Sequence, residues 1–558
     1  MTTYLTLYGG VNEIGGNKFL LETSTGPFRP LAQFSMENEQ AKGYRYDAKS
    51  STPRGEQPKS GNSTPDQHYI GDHDASIPPT RLLLDIGTSF SEEKEFYSGF
   101  LKPRRFTGIS DQLSLGLLPA LPGVYREDVL FESDLDYRAP MLDAVILSHV
   151  HADHAGNLPY IDPAIPLYTA RVNLPLLQFL QETQLAGEAS YLSGKRFVPR
   201  TNQARLKKAQ RITWQRTAVG CELQRPYVLG HTSVCFCGVD HSVPGATAIV
   251  IMTPDVLLAY TGDLRQHGRR AAETSRFVET VQKLKAQADE EGKRTVLLCE
   301  GTRFSDTSRH TEAHVESDVE GFLQEANEMQ GLAIASFSTL DVDRLATFWR
   351  AAKKVGRKLA VSPRQFFLLE KLASVEAGVS PQQWSENGWP DTKDPDLCVF
   401  FPRRVSGDFH TTDYEAWSER VWHDPAKRVT ARDVSAAPAR FVVYLSYTNM
   451  SSLLDFNLTD RGVFIYSASE PYDAEMEIID QVWEQWRRQF KLVRMNSHAS
   501  GHASGPEIRD LIRAIQPDVL FPVHTETPDA YEALMGDQGV MVVLPEKGKL
   551  YDLVGLTR

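Results

Sequence analysis

Short apolar runs bounded by turn-forming residues dominate the first half of the chain and predict β-strands. The first run opens the chain at residues 1–7. Further strands are predicted at residues 17–22, 81–85, 142–147, 246–252, 256–260 and 294–299. The turn residues 253–255 predict a hairpin, and apolar residues at helical spacing predict a helix over 274–291. We therefore expect mainly β-structure in this part of the chain.

A polar stretch interrupts this pattern between the second and third predicted strands. Residues 23–79 are rich in Ser, Pro, Asp and Gly. Such a composition does not bury enough apolar surface to order a core of its own. We therefore expect a long loop or flap within a hairpin.

After about residue 312 the pattern changes to alternating helices and strands. Helices are predicted at 315–329 and 343–354, and strands at 332–337 and 359–361. This alternation predicts a parallel sheet wrapped by helices. The remaining predictions are strands at 441–445, 463–466 and 518–523, and helices at 474–489 and 507–515. The Trp-rich segment 379–437 has no regular period and carries no prediction.

Composition and charge narrow the class of protein. A chain of 558 residues is too long for one ordinary core, and no apolar run is long enough to span a bilayer. The net charge of −12 argues against a surface coated with positive charge, although a local basic groove is compatible with it. Five scattered cysteines favour a reduced, cytoplasmic protein. Cys235 and Cys237 are expected to face opposite sides of a strand.

A basic run extends from Lys195 to Arg216 without an acidic residue. The usual interpretation of such a run is a solvated face. Beside a metal site, the same run could instead steer a polyanion.

The segment from His149 to His154 is the strongest candidate for chemistry. It places four metal-binding side chains within six residues, directly after a predicted strand. In extended backbone His149 and His151 point to the same side, and a turn then brings Asp153 and His154 round. Imidazole and carboxylate together suit zinc and leave positions open for water. The alternative, a solvated His-rich loop without metal, is disfavoured by this spacing.

Four more candidates lie at the ends of predicted strands, where a scaffold presents chemistry. They are Asp85, His241, Asp263 and His524. Singly, each could be a turn residue or an ordinary histidine. Their shared placement favours one joint site.

These residues carry a resemblance to a known superfamily. The segments around Asp85, 149–154, His241 and Asp263 resemble the successive motifs of the metallo-β-lactamase superfamily. Three further segments resemble motifs A, B and C of its β-CASP nucleases, namely residues 299–302 (CEGT), 498–504 (HASGHAS) and 522–526 (PVHTE). Within that group the chain is most similar to RNase J and its archaeal relatives. The likeness covers most of the chain and weakens in 23–79, 91–138 and 379–437.

The resemblance implies an α/β fold, a metallo-β-lactamase αββα sandwich with an inserted β-CASP α/β domain. It implies the N-terminal part of the sandwich over 1–308, the inserted domain over 309–475 and a C-terminal return over 476–558. The chain stops soon after His524, so the extra C-terminal domain of many bacterial RNase J proteins is not expected. Their mode of dimerisation is therefore not carried over, and the oligomeric state stays open.

The resemblance also assigns ligands to two zinc ions, with manganese as the alternative metal. One ion would be held by His149, His151 and His241, the other by Asp153, His154 and His524, and Asp263 would bridge them. The residues after His241 resemble the third family motif, which favours His241 over His231 as a ligand. Two such ions activate water for attack on a phosphodiester.

Three residues are expected to assist these ions. Asp85 would orient the ligand histidines or the attacking water. His502 would be the general acid for the leaving oxygen, or would stabilise the charged transition state. Glu300 is placed nearby by the family pattern, with its role undefined, and Asp153 counts among the catalytic residues as well as the ligands.

A phosphate or RNA pocket is expected at His498, Ser500, Gly501 and Ser504. Small residues let backbone N–H groups approach an anion, and a helix begins near Gly505. The alternative is a capping box between Ser504 and Glu507, which needs no ligand. Both can hold together.

The leading hypothesis is a zinc-dependent ribonuclease for single-stranded RNA, acting as a 5′-to-3′ exonuclease, an endonuclease or both. DNA is the main rival substrate. A lactonase or β-lactamase acting on small molecules is disfavoured by motifs A to C and by the long insertion. A metal-free RNA-binding scaffold is disfavoured because every expected ligand type is present.

Overall fold

Strands with few helices make up the first part of the fold. The computed structural model describes residues 2–33, 78–104, 108–130, 133–184, 190–197, 211–458, 461–469, 474–535 and 539–557. The elements up to residue 183 are β1 (Thr2–Gly9), β2 (Lys18–Ser24), β3 (Thr80–Leu84), α1 (Phe90–Phe96), α2 (Ser110–Ser114), β4 (Ala144–Leu147), α3 (Ala152–Ala155), β5 (Leu167–Ala170) and α4 (Asn173–Thr183).

A second series of strands follows and ends in a long helix and a buried strand. Its elements are β6 (Ser193–Phe197), β7 (Arg211–Gln215), β8 (Ala218–Cys221), β9 (Pro226–Leu229), β10 (Thr232–Gly238), β11 (Thr247–Met252), β12 (Val256–Tyr260), α5 (Ala271–Glu290) and β13 (Arg294–Glu300).

Helices and strands then alternate. This series contains α6 (Glu312–Glu328), β14 (Ala333–Ser336), α7 (Val342–Lys354), β15 (Lys358–Val361), α8 (Pro363–Leu372), α9 (Pro381–Glu386), β16 (Leu397–Phe400), α10 (Glu419–Trp422), β17 (Arg428–Val429), α11 (Ala431–Ala436), β18 (Phe441–Tyr444), β19 (Gly462–Tyr466), α12 (Ala474–Gln489) and β20 (Leu492–Asn496). The last elements are α13 (Gly505–Ile515), β21 (Val519–Val523), α14 (Asp529–Met535), β22 (Met541–Val542) and β23 (Leu550–Asp552).

Two sheets packed face to face form a sandwich. Their strand orders are β23-β1-β2-β3-β4-β5-β8 and β22-β21-β13-β12-β11-β10-β9. Alternate residues of each strand point inward, so Phe19 and Leu82 of the first sheet share a core with Phe236 and Leu258 of the second. The opposite face of the second sheet is covered by α5, and α13 packs on α5. The layers are those of an αββα sandwich.

A third sheet, of order β17-β16-β15-β18-β14-β19-β20, forms the centre of a separate unit. All of its strand pairs are parallel. Helices α6 and α7 pack together, with α7 against β15, and Trp483 of α12 is buried with Phe464 of β19. The prediction of a parallel sheet wrapped by helices is confirmed.

The third sheet continues beyond residue 475, the predicted end of the inserted unit. Helix α12 and strand β20 belong with the third sheet, because β20 pairs in parallel with β19 from Gly462 to Tyr466. Its last strand ends at Asn496, beyond the expected boundary at residue 475. A boundary after residue 496 therefore fits the sheet better, and the rest of the domain division stays a prediction.

The hairpin that encloses the polar stretch is present. Strands β2 and β3 pair antiparallel, with Phe19 opposite Leu84 and Thr23 opposite Thr80. Most of the predicted flap, residues 34–77, lies outside the described residues. The second hairpin is also confirmed, since β11 and β12 are antiparallel across residues 253–255.

Two expectations about side chains are wrong. Cys235 and Cys237 are two positions apart in β10, so they share the face packed beneath α5, and Gln224 lies 3.8 Å from the Cys237 sulfur. Arg216, the end of the basic run, is buried and donates to the carbonyl oxygens of residues 158, 161, 162, 165 and 191. It is therefore a structural arginine, while residues 198–210 of that run lie outside the described part of the chain. Among the described helices, none is long and apolar enough to cross a membrane.

Candidate metal centre

The candidate ligands lie at one edge of the sandwich, where strands of both sheets end. Asp85 and His149 follow the parallel strands β3 and β4 of the first sheet. Asp263 and His524 follow β12 and β21, which both run parallel to β13. Strand β10 runs in the direction of β12, because both are antiparallel to β11, and this brings His241 to the same edge. The fold therefore gathers residues that are far apart in sequence.

The backbone turns sharply at two of these strand ends. Asp85 has a φ of 55° and His524 a φ of 53°, in the left-handed region that residues other than glycine seldom adopt. The N–H of Asp85 donates to the Ile146 carbonyl at 2.9 Å, and that of His524 to the Gly10 carbonyl at 2.8 Å. Such strained residues persist where surrounding contacts fix them, and they concentrate at functional sites.

Three imidazoles and one carboxylate form the first group of candidate ligands. Nδ1 of His151 lies 3.1 Å from Nε2 of His149 and 3.1 Å from Nε2 of His241. Oδ2 of Asp263 lies 3.7 Å from Nε2 of His149 and 3.8 Å from Nε2 of His241. Ligands about 2.0–2.1 Å from a tetrahedral zinc ion are about 3.3 Å from one another. These atoms therefore have the spacing of a zinc site.

The second group shares Asp263 with the first. Nε2 of His154 lies 3.1 Å from Oδ1 of Asp263 and 3.9 Å from Oδ2 of Asp153. His524 lies 3.6 Å from the same Asp153 oxygen through Nε2 and 2.8 Å from Oδ1 of Asp263 through Nδ1. The four ligand atoms of each group lie within 4.8 Å of one another. Asp263 thus belongs to both groups, with Oδ2 facing the first and Oδ1 facing the second.

Unpartnered polar atoms show that these residues fit metal ions. Nε2 of His154, Nε2 of His524 and both carboxylate oxygens of Asp263 are buried and form no hydrogen bond. A buried polar atom without a partner costs about 1–3 kcal/mol, more when it is charged. Coordination to cations would satisfy all four atoms. The donor set of imidazole nitrogen and carboxylate oxygen is one that suits zinc.

The second ring nitrogen of three histidines is held by a protein group. Nδ1 of His154 lies 2.7 Å from Oδ2 of Asp85, and Nδ1 of His241 lies 2.6 Å from the Gly501 carbonyl. Nδ1 of His149 lies 3.1 Å from the Ser148 hydroxyl. Such contacts orient a metal-binding imidazole and select its tautomer. Asp85 therefore lies where the sequence prediction placed it, behind the ligands.

Two residues behind the site were missed by sequence reasoning. The Tyr260 hydroxyl donates to Oδ2 of Asp85 at 2.8 Å and accepts from the Asn17 amide at 2.8 Å. The same amide nitrogen of Asn17 lies 3.4 Å from Nδ1 of His524. This chain of contacts connects Asp85 with His524 across the sandwich. Two signals in the sequence could have indicated them: Tyr260 is a polar residue at the end of the apolar strand β12, and Asn17 directly follows Gly15 and Gly16.

His502 lies at the edge of the metal groups and pairs with Glu300. Nδ1 of His502 is 3.2 Å from Oε1 of Glu300 and 3.9 Å from Oδ2 of Asp263. The Glu300 side chain is buried and accepts the backbone N–H groups of Leu264 at 3.0 Å and Thr302 at 3.1 Å. Glu300 is therefore fixed, and it orients the His502 ring.

The expected phosphate pocket is only partly available. Ser504 is buried, and its hydroxyl and N–H contact Glu507 at 3.0 and 2.8 Å, which is the capping box. Nδ1 of His498 lies 3.2 Å from an Arg344 guanidinium nitrogen. Ser504 and His498 therefore already contact protein groups, and their part in a phosphate pocket stays a prediction. Ser500 accepts the His502 N–H at 3.2 Å and is half-buried.

Gly501 requires its lack of a side chain. A Cβ at this position would lie 2.8 Å from the Ser242 hydroxyl and 3.1 Å from Cε1 of His241. The segment can therefore approach the ligand His241 closely only with glycine here.

The charges of the site act in opposite directions on its histidines. Burial, together with the neighbouring imidazoles, lowers the pKa of His149 and of His241 well below the usual range. Burial also opposes protonation of His502, but the carboxylates of Glu300 and Asp263 outweigh it and raise the pKa of His502 to about 9. Burial thus favours the neutral imidazole of His149 and His241, which metal binding requires, whereas Glu300 and Asp263 favour the protonated ring of His502.

The other histidines in the described part of the chain lie outside the two metal groups. His231 contacts the Pro78 carbonyl at 3.0 Å, which rules it out as the competitor of His241. His267 contacts both Glu507 and the Ser500 carbonyl at 3.0 Å, and so supports the segment that carries His502.

Comparisons with known proteins agree with this geometry. A model of the metallo-beta-lactamase superfamily matches residues 107–280, and one described as a Zn-dependent metallo-hydrolase RNA specificity domain matches residues 487–545. The chain is 24% identical over 430 residues to Ribonuclease J of Pyrococcus abyssi, an alignment that covers 73% of this chain and 80% of that protein. It is also 24% identical over 425 residues to Ribonuclease J of Sinorhizobium meliloti, covering 73% of this chain and 62% of that protein. A crystal structure of a protein of unknown function from Enterococcus faecalis shares the fold, with a TM-score of 0.62 at 19% identity over 99% of this chain and 100% of that one.

The sandwich and its histidine and aspartate cluster define a metal-dependent hydrolase of the metallo-β-lactamase superfamily. Within it, the matches support a β-CASP, RNase J-like protein.

Proposed function

We propose that this protein is a zinc-dependent nuclease that hydrolyses phosphodiester bonds in single-stranded RNA. The observation that carries the proposal is the joint cluster of seven candidate ligands around Asp263, with the His502–Glu300 pair at its edge. The segment that provides His502 and His524 lies within the match to an RNA specificity domain. That match favours RNA as the substrate.

Two cations are expected, and zinc is the metal proposed. The first would be held by the three-histidine group and the second by the group with Asp153, with Asp263 shared. When bound, such ions supply Lewis-acid activation of the phosphodiester and of the attacking water. The protein contributes by fixing its imidazoles, since Asp85 holds His154 and the Gly501 carbonyl holds His241.

His502 is proposed as the general acid. Its ring carries a proton at neutral pH because Glu300 and Asp263 raise its pKa to about 9. The Nδ1–H of the imidazolium donates to Glu300 at 3.2 Å, so the Nε2–H is the proton that would pass to the leaving oxygen of the substrate. A positioned acid of this kind contributes about 10²–10⁴-fold to the rate. Glu300 acts as the positioning residue for this proton.

The inserted unit is proposed to help bind the RNA strand. It packs against the segment that carries His502, through the contact of Arg344 with the Ala499 carbonyl at 3.0 Å. A strand that reaches the cluster therefore passes near this unit. A lactonase or β-lactamase needs no second unit of this size, so the RNA hypothesis accounts for more of the chain.

The test compares cleavage of end-labelled single-stranded RNA and matched DNA that carry 5′ monophosphate, triphosphate or hydroxyl ends. Wild type is compared with Asp153→Ala, His502→Ala and the control His231→Ala. We expect RNA cleavage by wild type and His231→Ala, and a loss of about 10²-fold or more in His502→Ala. A ladder of internal cleavage products would indicate endonuclease activity, and progressive shortening from the 5′ end would indicate 5′-to-3′ exonuclease activity.

Metal analysis separates binding from chemistry. Wild type and His502→Ala should each hold two zinc ions, while Asp153→Ala should lose one. Cleavage of DNA alone would transfer the assignment to a DNA nuclease. Equal RNA cleavage by wild type, Asp153→Ala and His502→Ala would refute the mechanism. A cytoplasmic location stays a prediction, based on five cysteines that form no disulfide.

A further inference from the structure

The segment that carries His502 is held by side chains in an unusual way. Each of four consecutive backbone carbonyls accepts a hydrogen bond from a side-chain donor. Ala499 accepts from Arg344 at 3.0 Å, Ser500 from Arg265 and His267 at 3.0 Å each, Gly501 from His241 at 2.6 Å and His502 from Arg303 at 3.3 Å. Donors from several elements thus fix this loop, so its position depends on where those elements lie.

Arg344 is the donor that comes from the inserted unit. It lies in the first turn of α7 and is fully buried. Its guanidinium donates to both carboxylate oxygens of Glu312, at 2.8 and 3.2 Å. The same group reaches the Ser467 carbonyl at 2.8 Å and Nδ1 of His498 at 3.2 Å. Arg344 therefore joins α6, the end of β19 and the loop before His502.

Glu312 links this arginine to the metal centre. Its Oε1 also accepts from Arg265 at 3.1 Å, and Arg265 lies two positions after Asp263. Arg265 in turn donates to Asp240 at 3.1 Å, the residue directly before His241. Burial favours the neutral acid, yet Arg344 and Arg265 outweigh it and lower the pKa of Glu312 to about 2. The network is thus charged and excluded from water.

A buried ion network of this kind tolerates few alternative geometries. Removal of one member leaves the remaining charge without a partner, so the members keep their relative positions together. The Arg344 guanidinium makes six polar contacts at once, which requires its planar fork. A lysine at this position could keep the charge but not all of these contacts.

We propose that Arg344 is a positioning residue that sets the His502 loop against the metal centre, and so makes correct placement of His502 depend on docking of the inserted unit. The inference rests on the proposed function of His502. Arg344 itself lies behind the loop and need not touch the substrate. Its loss should therefore act on the rate of the chemical step more than on substrate binding.

The test uses Arg344→Lys in the full-length zinc-loaded protein, with Arg350→Lys as the matched control. Arg350 lies on the same helix, donates to Glu316 at 2.9 and 3.1 Å and to the Gly388 carbonyl at 2.8 Å, and makes no hydrogen bond to residues 498–502 among its described contacts. Turnover of single-stranded RNA is measured together with zinc content. A displacement of about 1 Å at a reacting group costs about 100-fold in rate. We therefore expect kcat to fall about 10–100-fold in Arg344→Lys, with KM and zinc content close to wild type, and Arg350→Lys to retain wild-type kcat.

Hydrogen exchange provides a readout that does not depend on activity. Peptides covering residues 497–504 should exchange faster in Arg344→Lys than in wild type or Arg350→Lys. Glu312→Gln, which keeps the shape but not the charge, should give the same pattern. Unchanged exchange in this segment, or equal kcat in both lysine variants, would overturn the inference.

The proposed function and this inference fail in different ways. If wild type cleaves neither RNA nor bis(p-nitrophenyl) phosphate, the nuclease assignment is wrong, and the exchange experiment still decides whether Arg344 holds the loop. If wild type cleaves RNA and Arg344→Lys raises KM without a change in kcat, the nuclease assignment stands and the positioning role is refuted.

Discussion

Replacement of Tyr260 by phenylalanine removes one hydroxyl from behind the metal centre. That hydroxyl donates to Asp85 at 2.8 Å and accepts from Asn17 at 2.8 Å, and its ring is buried between the sheets. Asp85 keeps its contacts with Ser148 and His154, so the carboxylate stays in place but is held less firmly. The hydroxyl also lies 3.4 Å from Nδ1 of His154, so the change weakens support for the candidate ligands without replacing one of them.

The magnitude follows from the two lost contacts. A hydrogen bond to a charged group contributes about 1.5–3 kcal/mol, and the Asn17 amide left without an acceptor adds about 1–3 kcal/mol. We therefore expect Tyr260→Phe to lose about 3–4 kcal/mol of stability in the metal-free protein. Loss of a group that orients a ligand also lowers metal affinity by about 10–100-fold.

The assays are denaturant unfolding of the metal-free protein and competition with a chromogenic zinc chelator. Tyr125→Phe is the matched control, because its buried hydroxyl donates to the Pro119 carbonyl at 2.6 Å, away from the metal groups. The control should lose about 1 kcal/mol and keep zinc affinity. If Tyr260→Phe bound zinc as tightly as Tyr125→Phe does, Tyr260 would be a residue of the sandwich core with no part in aligning the ligands.

Three further predictions concern burial, close packing and metal removal. Burial, only partly offset by Glu13, lowers the pKa of Lys18 from 10.5 to about 8. Below pH 8 the charged Lys18 therefore costs the folded protein about 3 kcal/mol of stability. Between pH 8 and 10.5 the unfolded chain still binds this proton and the folded chain does not, so the stability rises with pH. In urea unfolding, Lys18→Met should be more stable than wild type at pH 7 and should lack the rise in stability between pH 8 and 10. The control Lys283→Met, at an exposed position, should keep that rise. A rise retained in Lys18→Met would contradict the argument. Gly501→Ala should displace His241 and reduce the zinc content. The control Gly321→Ala has open space around its added Cβ and should bind zinc normally. Equal zinc contents in both variants would show that the close approach of Gly501 to His241 is unimportant. Chelation should lower the unfolding temperature, since zinc at about 100 times its Kd adds about 2.7 kcal/mol, and His524→Ala should show a smaller drop.

Much of the local structure could be predicted from the sequence. Periodicity of apolar residues placed the helices α5, α7 and α12 to within a few residues, because the side that a helix buries repeats along the chain. Strand β20 was not predicted, because it is defined by its pairing with β19. Strand pairing is a long-range contact that local composition does not encode.

Some features of the candidate site could likewise be predicted from the sequence, and others could not. The ligand residue types and their places after strands were visible, because metal binding restricts the choice to a few side chains. The contact of His498 with Arg344 was not visible, because it joins two units of the fold, whereas the capping box of Ser504 and Glu507 was recognised in the sequence. Likewise, the basic run gave no sign that Arg216 turns inward to five carbonyl oxygens.

Residue chemistry, short spacings and the family resemblance, all of which can be read from the sequence, thus pointed to the candidate metal ligands of this protein. The supporting contacts of Tyr260, Asn17 and Arg344 were seen only in the tertiary structure. Each of them joins segments more than 100 positions apart, from Asn17 with Tyr260 to Arg344 with Ala499. Such contacts form when the sheets and the inserted unit pack together. The free energy of that packing depends on segments that are distant in the sequence, so no local pattern encodes it.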